Sequence, residues 1–204
     1  MSKITEMTSR HEMLPGAAAR VMPGVGSFYG DAIRELAGGV SVITVGTSPR
    51  RTGFTASFVV STSVDPPRLL VSGNRASSWV LELNRCRCFG VNMLAAHHTR
   101  IAARFSLRGA NGEARFAGEC WHPIKTGASL LCDALAAFDC ELEEIIERHS
   151  HAIVIGRVIA ARRRCVGDAL VYWRGEYHDL RDGGEESQQS AWEPILRSGN
   201  VGCG

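Results

Sequence analysis

The stretch from Gly53 to Ser72, GFTASFVVSTSVDPPRLLVS, constrains the fold more than any other part of the chain. Most of its apolar residues are β-branched or aromatic, which favours strands. Asp65-Pro66-Pro67 ends the first strand, because proline fixes φ, lacks an N–H donor and extends the residue before it. We therefore predict that the chain turns here and begins a second strand at Arg68.

Hydroxyl side chains crowd between the apolar residues of this stretch, at Thr55, Ser57, Ser61, Thr62 and Ser63. Such small side chains leave backbone N–H groups open to a ligand, for example an oxyanion or a flat heteroaromatic ring. The alternative is a serine-rich edge strand with solvated hydroxyls. Composition alone leaves both interpretations open, since β propensity depends on context.

Length, charge and cysteine content place the chain in a broad class. A chain of 204 residues suits one domain with a sizeable core, and a net charge of +2 predicts neither a nucleic-acid nor a membrane-surface partner. The seven cysteines have no framework spacing, so we interpret them, Cys120 and Cys132 included, as reduced thiols of a cytoplasmic protein. No run approaches the roughly 20 apolar residues that a membrane span needs.

Periodic patterns set the expected domain limits and elements. We expect a mobile N-terminal leader over residues 1–26, one domain over 27–180 and a polar C-terminal tail over 181–204. The predicted strands are 40–46, 53–64, 68–72, 88–94, 115–121, 151–159, 169–173 and 177–180, and the predicted short helices are 27–37, 76–84 and 99–105. Residues 133–148 fit both helical and strand periodicity. This mainly β pattern favours a Greek-key barrel over a doubly wound sheet.

Common catalytic motifs are missing from the sequence. It contains no GxGxxG between a strand and a helix, no Walker P-loop, no HExxH and no GxSxG. Cys86 and Cys88 with His97 and His98 could supply four zinc ligands, but the cysteines lack the usual two-residue gap and the histidines are adjacent. The sequence therefore predicts no metal site and argues against hydrolytic and phosphoryl-transfer enzymes.

Seven segments together point to a family, through their order and spacing. They are FYGDAIRELAGGVSVITV (28–45), GFTAS (53–57), STSVDPP (61–67), FGVNML (89–94), AARF (102–105), HAIVIGRV (151–158) and GEYHDL (175–180). Over these segments the chain resembles the short-chain flavin reductases, the NAD(P)H:flavin oxidoreductases that serve two-component monooxygenases. No single segment is specific, so the resemblance rests on all of them in order.

This resemblance implies a fold and an activity. It implies a split β-barrel of Greek-key topology, strand structure within 133–148, a homodimer and a flavin groove near the subunit interface. The implied reaction passes hydride from NADH or NADPH to N5 of FAD or FMN without a catalytic side chain. The reduced flavin would then serve a partner monooxygenase or halogenase. An electron carrier or oxidase with tightly bound flavin is the alternative, and a non-catalytic binding barrel is a third.

The resemblance also implies which residues bind the cofactors. The flavin ring and ribityl chain would contact Thr55, Ala56, Ser57, Ser61 and Thr62. The flavin phosphate would contact Ala76, Ser77 and Ser78, and Phe105 would border the flavin. The candidates for contact with the nicotinamide are His151 and Tyr177. Backbone donors at a helix start are the physical reason for the phosphate assignment.

Two departures from the family pattern bear on these assignments. His149-Ser150-His151 stands where relatives often read GDH, so the preference between NADH and NADPH stays open. Phe58 comes one place before the usual aromatic position, where this chain has Val59, so the fit around the flavin ring stays open as well.

Overall fold

The computed structural model describes residues 25–107, 112–164 and 167–181. The chain divides into two units, Met1–Ile33 and Arg34–Gly204. In the described part of the first unit lies one helix, α1 (Val25–Ile33). The predicted leader over 1–26 and tail over 181–204 lie almost wholly outside the described residues, and both stay predictions.

The second unit is mainly β with short helices, which confirms that part of the predicted fold class. Its strands are β1 (Gly38–Gly39), β2 (Ser41–Val45), β3 (Thr52–Ala56), β4 (Val59–Val64), β5 (Pro67–Asn74), β6 (Cys88–Met93), β7 (Trp121–His122), β8 (Leu130–Leu131), β9 (Ala136–Arg148), β10 (His151–Arg163), β11 (Ala169–Trp173) and β12 (Glu176–Leu180). The α-helices are α2 (Trp79–Cys86) and α3 (Thr99–Ser106), and 3₁₀ turns span Ala96–His98 and Glu113–Phe116.

The strands form three sheets in the described part of the chain. The largest is a seven-stranded antiparallel sheet in the order β3-β2-β6-β9-β10-β5-β4, so β3 and β4 occupy its two edges. The smaller sheets are β1-β11-β12 and the two-stranded ribbon β7-β8. β9 and β10 have 13 residues each, longer than most strands, and carry the middle of the large sheet.

The large sheet is covered on both faces, and β2 shows why. All five residues of β2 are buried. Ile43 and Val45 pack in one apolar cluster around Trp79 and Phe89, whereas Val42 packs in a second cluster around Phe105. Successive side chains of a strand point to opposite faces, so a strand whose two faces are both covered buries every side chain.

The central stretch folds largely as predicted, with one difference. Asp65-Pro66 forms the turn between β4 and β5, so the predicted turn and second strand are confirmed. The predicted single strand over 53–64 is instead two strands, because the chain leaves the sheet at Ser57-Phe58. β3 then pairs with β2 at one edge and β4 with β5 at the other.

Two element predictions differ from the structure in extent or type. The helix predicted over 27–37 is present as α1 but ends at Ile33, and Gly38-Gly39 forms β1, paired with Val171 and Tyr172 of β11. The strand expected over 115–121 is a 3₁₀ turn followed by a two-residue strand, since Arg115 and buried Phe116 are held by partners distant in sequence. The strand implied within 133–148 is confirmed as β9.

The cysteine prediction needs a correction as well. Cys120 and Cys132 are joined by a disulfide, so the expectation of two free thiols is wrong for this pair. Cys86, Cys88 and Cys140 are free, and burial raises the pKa of the Cys140 thiol to about 12.

Among the described residues, the helices are all too short or too polar to cross a membrane.

Candidate functional site

A groove of about 740 Å³ runs between β3, β5, the start of α2 and the end of α3. Its lining comprises Thr52, Gly53, Phe54, Thr55, Ala56, Ser57, Phe58, Ser72, Gly73, Asn74, Ala76, Ser77, Ser78, Trp79, Phe105, Ser106, Leu107, Arg115 and His151. The volume lies within the roughly 300–1,000 Å³ typical of ligand pockets. Small, hydroxyl and aromatic side chains dominate it, a composition that suits a flat polar ligand.

An aromatic pair forms one wall of the groove. The rings of Phe54 and Trp79 lie 4.7 Å apart between centroids, and Trp79 Nε1 donates a 2.9 Å hydrogen bond to the carbonyl of Asn74. A Cβ at Gly73 would lie 2.6 Å from the Phe54 ring. The glycine therefore lets β5 pass directly under the two rings.

The β3 wall is attached to α3 by a side-chain hydrogen bond. Thr55 Oγ1 donates to the carbonyl of Ala102 over 2.6 Å, so this hydroxyl has a structural partner. Phe105 packs against Gly53, where a Cβ would come within 3.0 Å of its ring. Ser57 is exposed where β3 ends. Of the two predicted hydroxyls here, Ser57 is thus the one left free for a ligand.

Arg115 is a site residue that sequence reasoning missed. Its guanidinium donates to the carbonyls of Gly53, Phe105 and Leu107, the last two over 3.2 and 2.6 Å. Its Nε is buried without a hydrogen-bond partner among the described residues. Burial lowers the pKa of Arg115 from its ordinary value, yet an arginine keeps its charge. The residue clamps β3 to the end of α3 and places a cation in the groove wall.

The loop before α2 is shaped by Asn74. Its Oδ1 accepts the N–H of Ala76 over 2.9 Å, and its carbonyl accepts the N–H of Ser77 over 3.3 Å. This turn directs the chain into α2, with Ser77 and Ser78 exposed at the helix start. The first N–H groups of a helix have no partner within the helix, so this end of the groove suits an anion.

The groove brings together most of the predicted site residues. Thr55, Ala56, Ser57, Ala76, Ser77, Ser78, Phe105 and His151 line it, whereas Ser61, Thr62 and Tyr177 are not part of its lining. For all of these predicted residues, contact with a cofactor stays a prediction. Phe54, Asn74, Trp79 and Arg115 were missed, and only Trp79 carried a sequence signal, as a bulky aromatic at the start of a predicted helix.

The three predicted residues that are not in the lining have other surroundings. Ser61 and Thr62 are exposed on the edge strand β4, which matches the alternative interpretation of a solvated serine-rich edge. Tyr177 packs against the second apolar cluster, and burial raises its pKa although a hydrogen bond with the side chain of Ser106 opposes this. Ser106 lines the groove, so Tyr177 is one residue removed from it.

His151 lies at the mouth of the groove, at the start of β10. It is exposed, and its Nδ1 lies 2.9 Å from the Ser150 hydroxyl. The carbonyl of Ser150 accepts the N–H of Arg75 over 3.0 Å, which ties the β9–β10 turn to the loop before α2.

The four possible zinc ligands do not form one group. His97 and His98 instead approach the carboxylate of Asp133, at 3.3 and 3.1 Å. His98 Nδ1 accepts the N–H of Ala95 over 3.0 Å, which assigns the ring proton to Nε2. Burial lowers the pKa of His98, so the neutral ring is favoured, and its Nε2 faces the Asp133 carboxylate.

Comparison with known proteins decides the family. Residues 33–181 match the family model described as the flavin reductase like domain. This chain belongs to the flavin reductase-like family. The resemblance predicted from the sequence is thereby confirmed, as is the enzyme class it implied, an NAD(P)H:flavin oxidoreductase.

Relatives of this flavin reductase-like chain include two proteins named FMN reductase (NADH) RutF. The protein of Bradyrhizobium diazoefficiens is 36% identical over 165 residues, which cover 80% of this chain and 91% of the relative. The protein of Methylorubrum populi is 40% identical over 162 residues, which cover 78% of each.

Solved structures similar to this flavin reductase-like chain come from the same family. A putative flavin reductase of Haemophilus somnus 129pt has 33% identity and a TM-score of 0.72, covering 76% of this chain and 99% of that one. BorF, the flavin reductase component of a bacterial two-component tryptophan halogenase, has 32% identity and a TM-score of 0.71, covering 76% and 98%.

Proposed function

We propose that this protein is an NADH-dependent flavin reductase that reduces FMN or FAD and releases the product to a partner monooxygenase or halogenase. The observation that carries the proposal is the groove, whose lining combines an aromatic pair, small hydroxyl residues and the start of a helix. FMN and NADH are the first pair to test, because the RutF relatives bear those names. Similarity to BorF supports a partner enzyme of the oxygenase or halogenase kind.

The residues of the groove fit a flavin. Phe54 presents apolar surface to a flat ring, buried Phe105 packs against Gly53, and Ala56 and Ser57 leave room beside the end of β3. The exposed Ser77 and Ser78 at the start of α2 would hold the phosphate. When bound, the flavin supplies the redox chemistry, as the acceptor of a hydride from the nicotinamide.

The protein's own contribution is orientation and exclusion of water. Among the residues that line the groove, only Arg115 and His151 carry basic side chains. Arg115 is held by three carbonyls, and its positive charge favours an anionic ligand. We assign the nicotinamide contact to His151, which lines the groove and is exposed. Holding two rings together accounts for the acceleration without a general acid or base.

The finer features of the assembly are part of the same proposal. We assign the fold to the split β-barrel with Greek-key topology, because the edge strand β3 approaches β5 at Phe54 and Gly73 without pairing with it. A homodimer would cover the edge strand β4, which exposes apolar Val60 and Val64. We also propose domain limits of 27–180, a cytoplasmic location and the cofactor contacts of Ser61, Thr62 and Tyr177.

A steady-state matrix tests the activity. Purified protein is assayed with FMN or FAD against NADH or NADPH, following nicotinamide oxidation. We expect saturable flavin dependence with the highest kcat/KM for FMN and NADH. A rate no higher than that without enzyme in all four combinations would overturn the proposal.

The colour of the purified protein separates the alternative activity. A reductase that uses flavin as a diffusing substrate is mostly colourless, and its rate rises with added flavin. A split-barrel electron carrier or oxidase instead retains a stoichiometric yellow flavin through purification and gains nothing from added flavin.

A further inference from the structure

The β7–β8 ribbon carries three side chains with metal-binding atoms on one face. They are Cys120, His122 and Cys132, and their ligand atoms all lie within 4.8 Å of one another. Cys120 and His122 are exposed and Cys132 is partly exposed, so solvent ions reach the group. The residues are outside the groove lining and have no part in the proposed activity.

Strand geometry explains why these three side chains converge. Trp121 pairs with Leu131, and the N–H of Cys132 donates to the carbonyl of Cys120 over 2.9 Å, so the two cysteines face each other with Cα atoms 5.4 Å apart. Residues two apart on a strand share a face, which places His122 beside Cys120.

The opposite face of the ribbon is anchored in the protein. The ring of Trp121 packs on Phe116 and Phe105, at centroid distances of 5.0 and 5.7 Å, and its Nε1 donates to the Phe116 carbonyl over 3.1 Å. The ligand-bearing face is therefore held by a rigid backbone. A preorganised backbone reduces the entropy lost when a metal binds.

We propose that the reduced protein binds one zinc-like divalent cation through Cys120 Sγ, Cys132 Sγ and the His122 imidazole, with the fourth position open to water. A Zn–S bond of about 2.3 Å in a tetrahedral site sets the two sulfurs about 3.8 Å apart. Facing cysteines reach that separation by small side-chain rotations. Two thiolates and an imidazole form a ligand set that zinc prefers, and three protein ligands leave its fourth position free.

The disulfide is the oxidised state of the same site. Hydrogen peroxide reacts with two thiolates and two protons to give the disulfide and two molecules of water. Each sulfur loses one electron, the O–O bond breaks and the S–S bond forms. Because the sulfurs no longer carry negative charge, the metal is released. Metal binding and the disulfide are thus mutually exclusive.

Cobalt titration tests the site in the full-length protein. The protein is reduced with a phosphine, freed of excess reductant under nitrogen and titrated with Co²⁺. We expect one ion per chain, with thiolate-to-cobalt charge-transfer bands and tetrahedral ligand-field bands that Zn²⁺ abolishes by displacement. Hydrogen peroxide should abolish the bands and release bound zinc to a chromophoric chelator.

Variants show which residues bind the ion. Cys120→Ser and His122→Asn should each weaken Co²⁺ binding by more than the roughly 10–100-fold that loss of an outer-shell partner costs. Cys86→Ser is the matched control, because it removes a thiol outside the ribbon, and it should leave the spectrum unchanged.

Two results would overturn the proposal. One is a reduced wild-type protein without thiolate-to-cobalt bands, and the other is an equal loss of binding in Cys86→Ser and Cys120→Ser. If circular dichroism shows that Cys120→Ser is unfolded, exposed His122→Asn decides alone, and unchanged affinity in that variant rejects the site.

Discussion

The hydroxyl residues of the central stretch lie in two different environments. Ser57 is exposed at the end of β3 and lines the groove, whereas Ser61 lies four residues later on the edge strand β4. Ser57→Leu puts a branched side chain into the groove without burying it in the core. We expect flavin KM to rise tenfold or more, about 1.4 kcal/mol, with little change in the melting temperature.

Two further variants give this measurement its controls. Ser48→Leu changes an exposed serine outside the groove lining and should leave the flavin KM as in the wild type. Ser61→Leu tests the edge strand: a rise in KM equal to that of Ser57→Leu would show that β4 borders the bound flavin. An unchanged KM in Ser57→Leu would show that the flavin binds elsewhere.

His98 makes stability depend on pH. Burial lowers its pKa from 6.5, although Asp133 opposes this, so the folded protein holds the neutral ring. Below pH 6.5 the imidazole is protonated in the unfolded chain but stays neutral in the folded chain. The stability that comes from burying the neutral His98 ring is therefore present above pH 6.5 and is lost as the pH falls. His98→Asn retains an acceptor for the Ala95 N–H, and its melting temperature should fall less between pH 7.5 and about 5.

Protonation of Asp133 does not interfere with the pH dependence of the melting temperature that is expected from His98. Burial tends to raise the pKa of Asp133, but the neighbouring imidazoles of His98 and His97 lower it below its ordinary value. A lowered carboxyl pKa removes stability only at more acidic pH, beneath the window in which His98 acts. An identical pH dependence in wild type and His98→Asn would exclude His98 as the cause.

At the scale of elements, glycine lets β5 pass beneath the aromatic wall. In Gly73→Ala the new methyl group meets the Phe54 ring at 2.6 Å and the Trp79 ring at 3.0 Å. Displacing this packed pair should lower the free energy of unfolding by about 1–3 kcal/mol and raise the flavin KM. Gly39→Ala is the control, since no atom of the described part of the chain lies within 4 Å of its Cβ position. Equal urea midpoints for the two variants would contradict this account.

The end of α3 is held to β3 by the clamp at Arg115. Arg115→Lys cannot reproduce a fork that serves three carbonyls, so we expect the free energy of unfolding to fall by about 2 kcal/mol. The flavin KM should rise as well, because Phe105 and Leu107 line the groove. Arg85→Lys changes an exposed helix pair with Glu82 and should cost at most about 0.5 kcal/mol. A similar cost for both variants in urea denaturation would show that the clamp is not stabilising.

At the scale of the molecule, the edge strand β4 is the surface that a homodimer would cover. Phe58, Val60 and Val64 are 50%, 43% and 57% exposed there. Val60→Lys with Val64→Lys should convert a dimer to a monomer in sedimentation velocity, because two charges would lose solvation in the interface. Leu81→Lys changes a residue that is 78% exposed on α2 and should leave the dimer intact. A wild-type protein that sediments as a monomer would contradict the proposed homodimer.

The order of strands and turns could be predicted from the sequence because its causes are local. The turn at Asp65-Pro66 follows from proline geometry, and the strand at 40–46 follows from the five β-branched residues among its seven. The order of short motifs identified the family, since each motif keeps its place along the chain. Eight of the predicted site residues line the groove, and five of them lie within those motifs.

Only the tertiary structure decided which partners each segment meets. Residues 133–148 suit helix and strand equally, and pairing with β6 and β10 makes them β9. Phe54 and Arg115 become groove residues, and Cys120 meets Cys132, through contacts between segments that local pattern does not link. The role of a side chain on a strand depends on its face and its neighbour, and both are set by pairing across the sheet rather than by the residue itself.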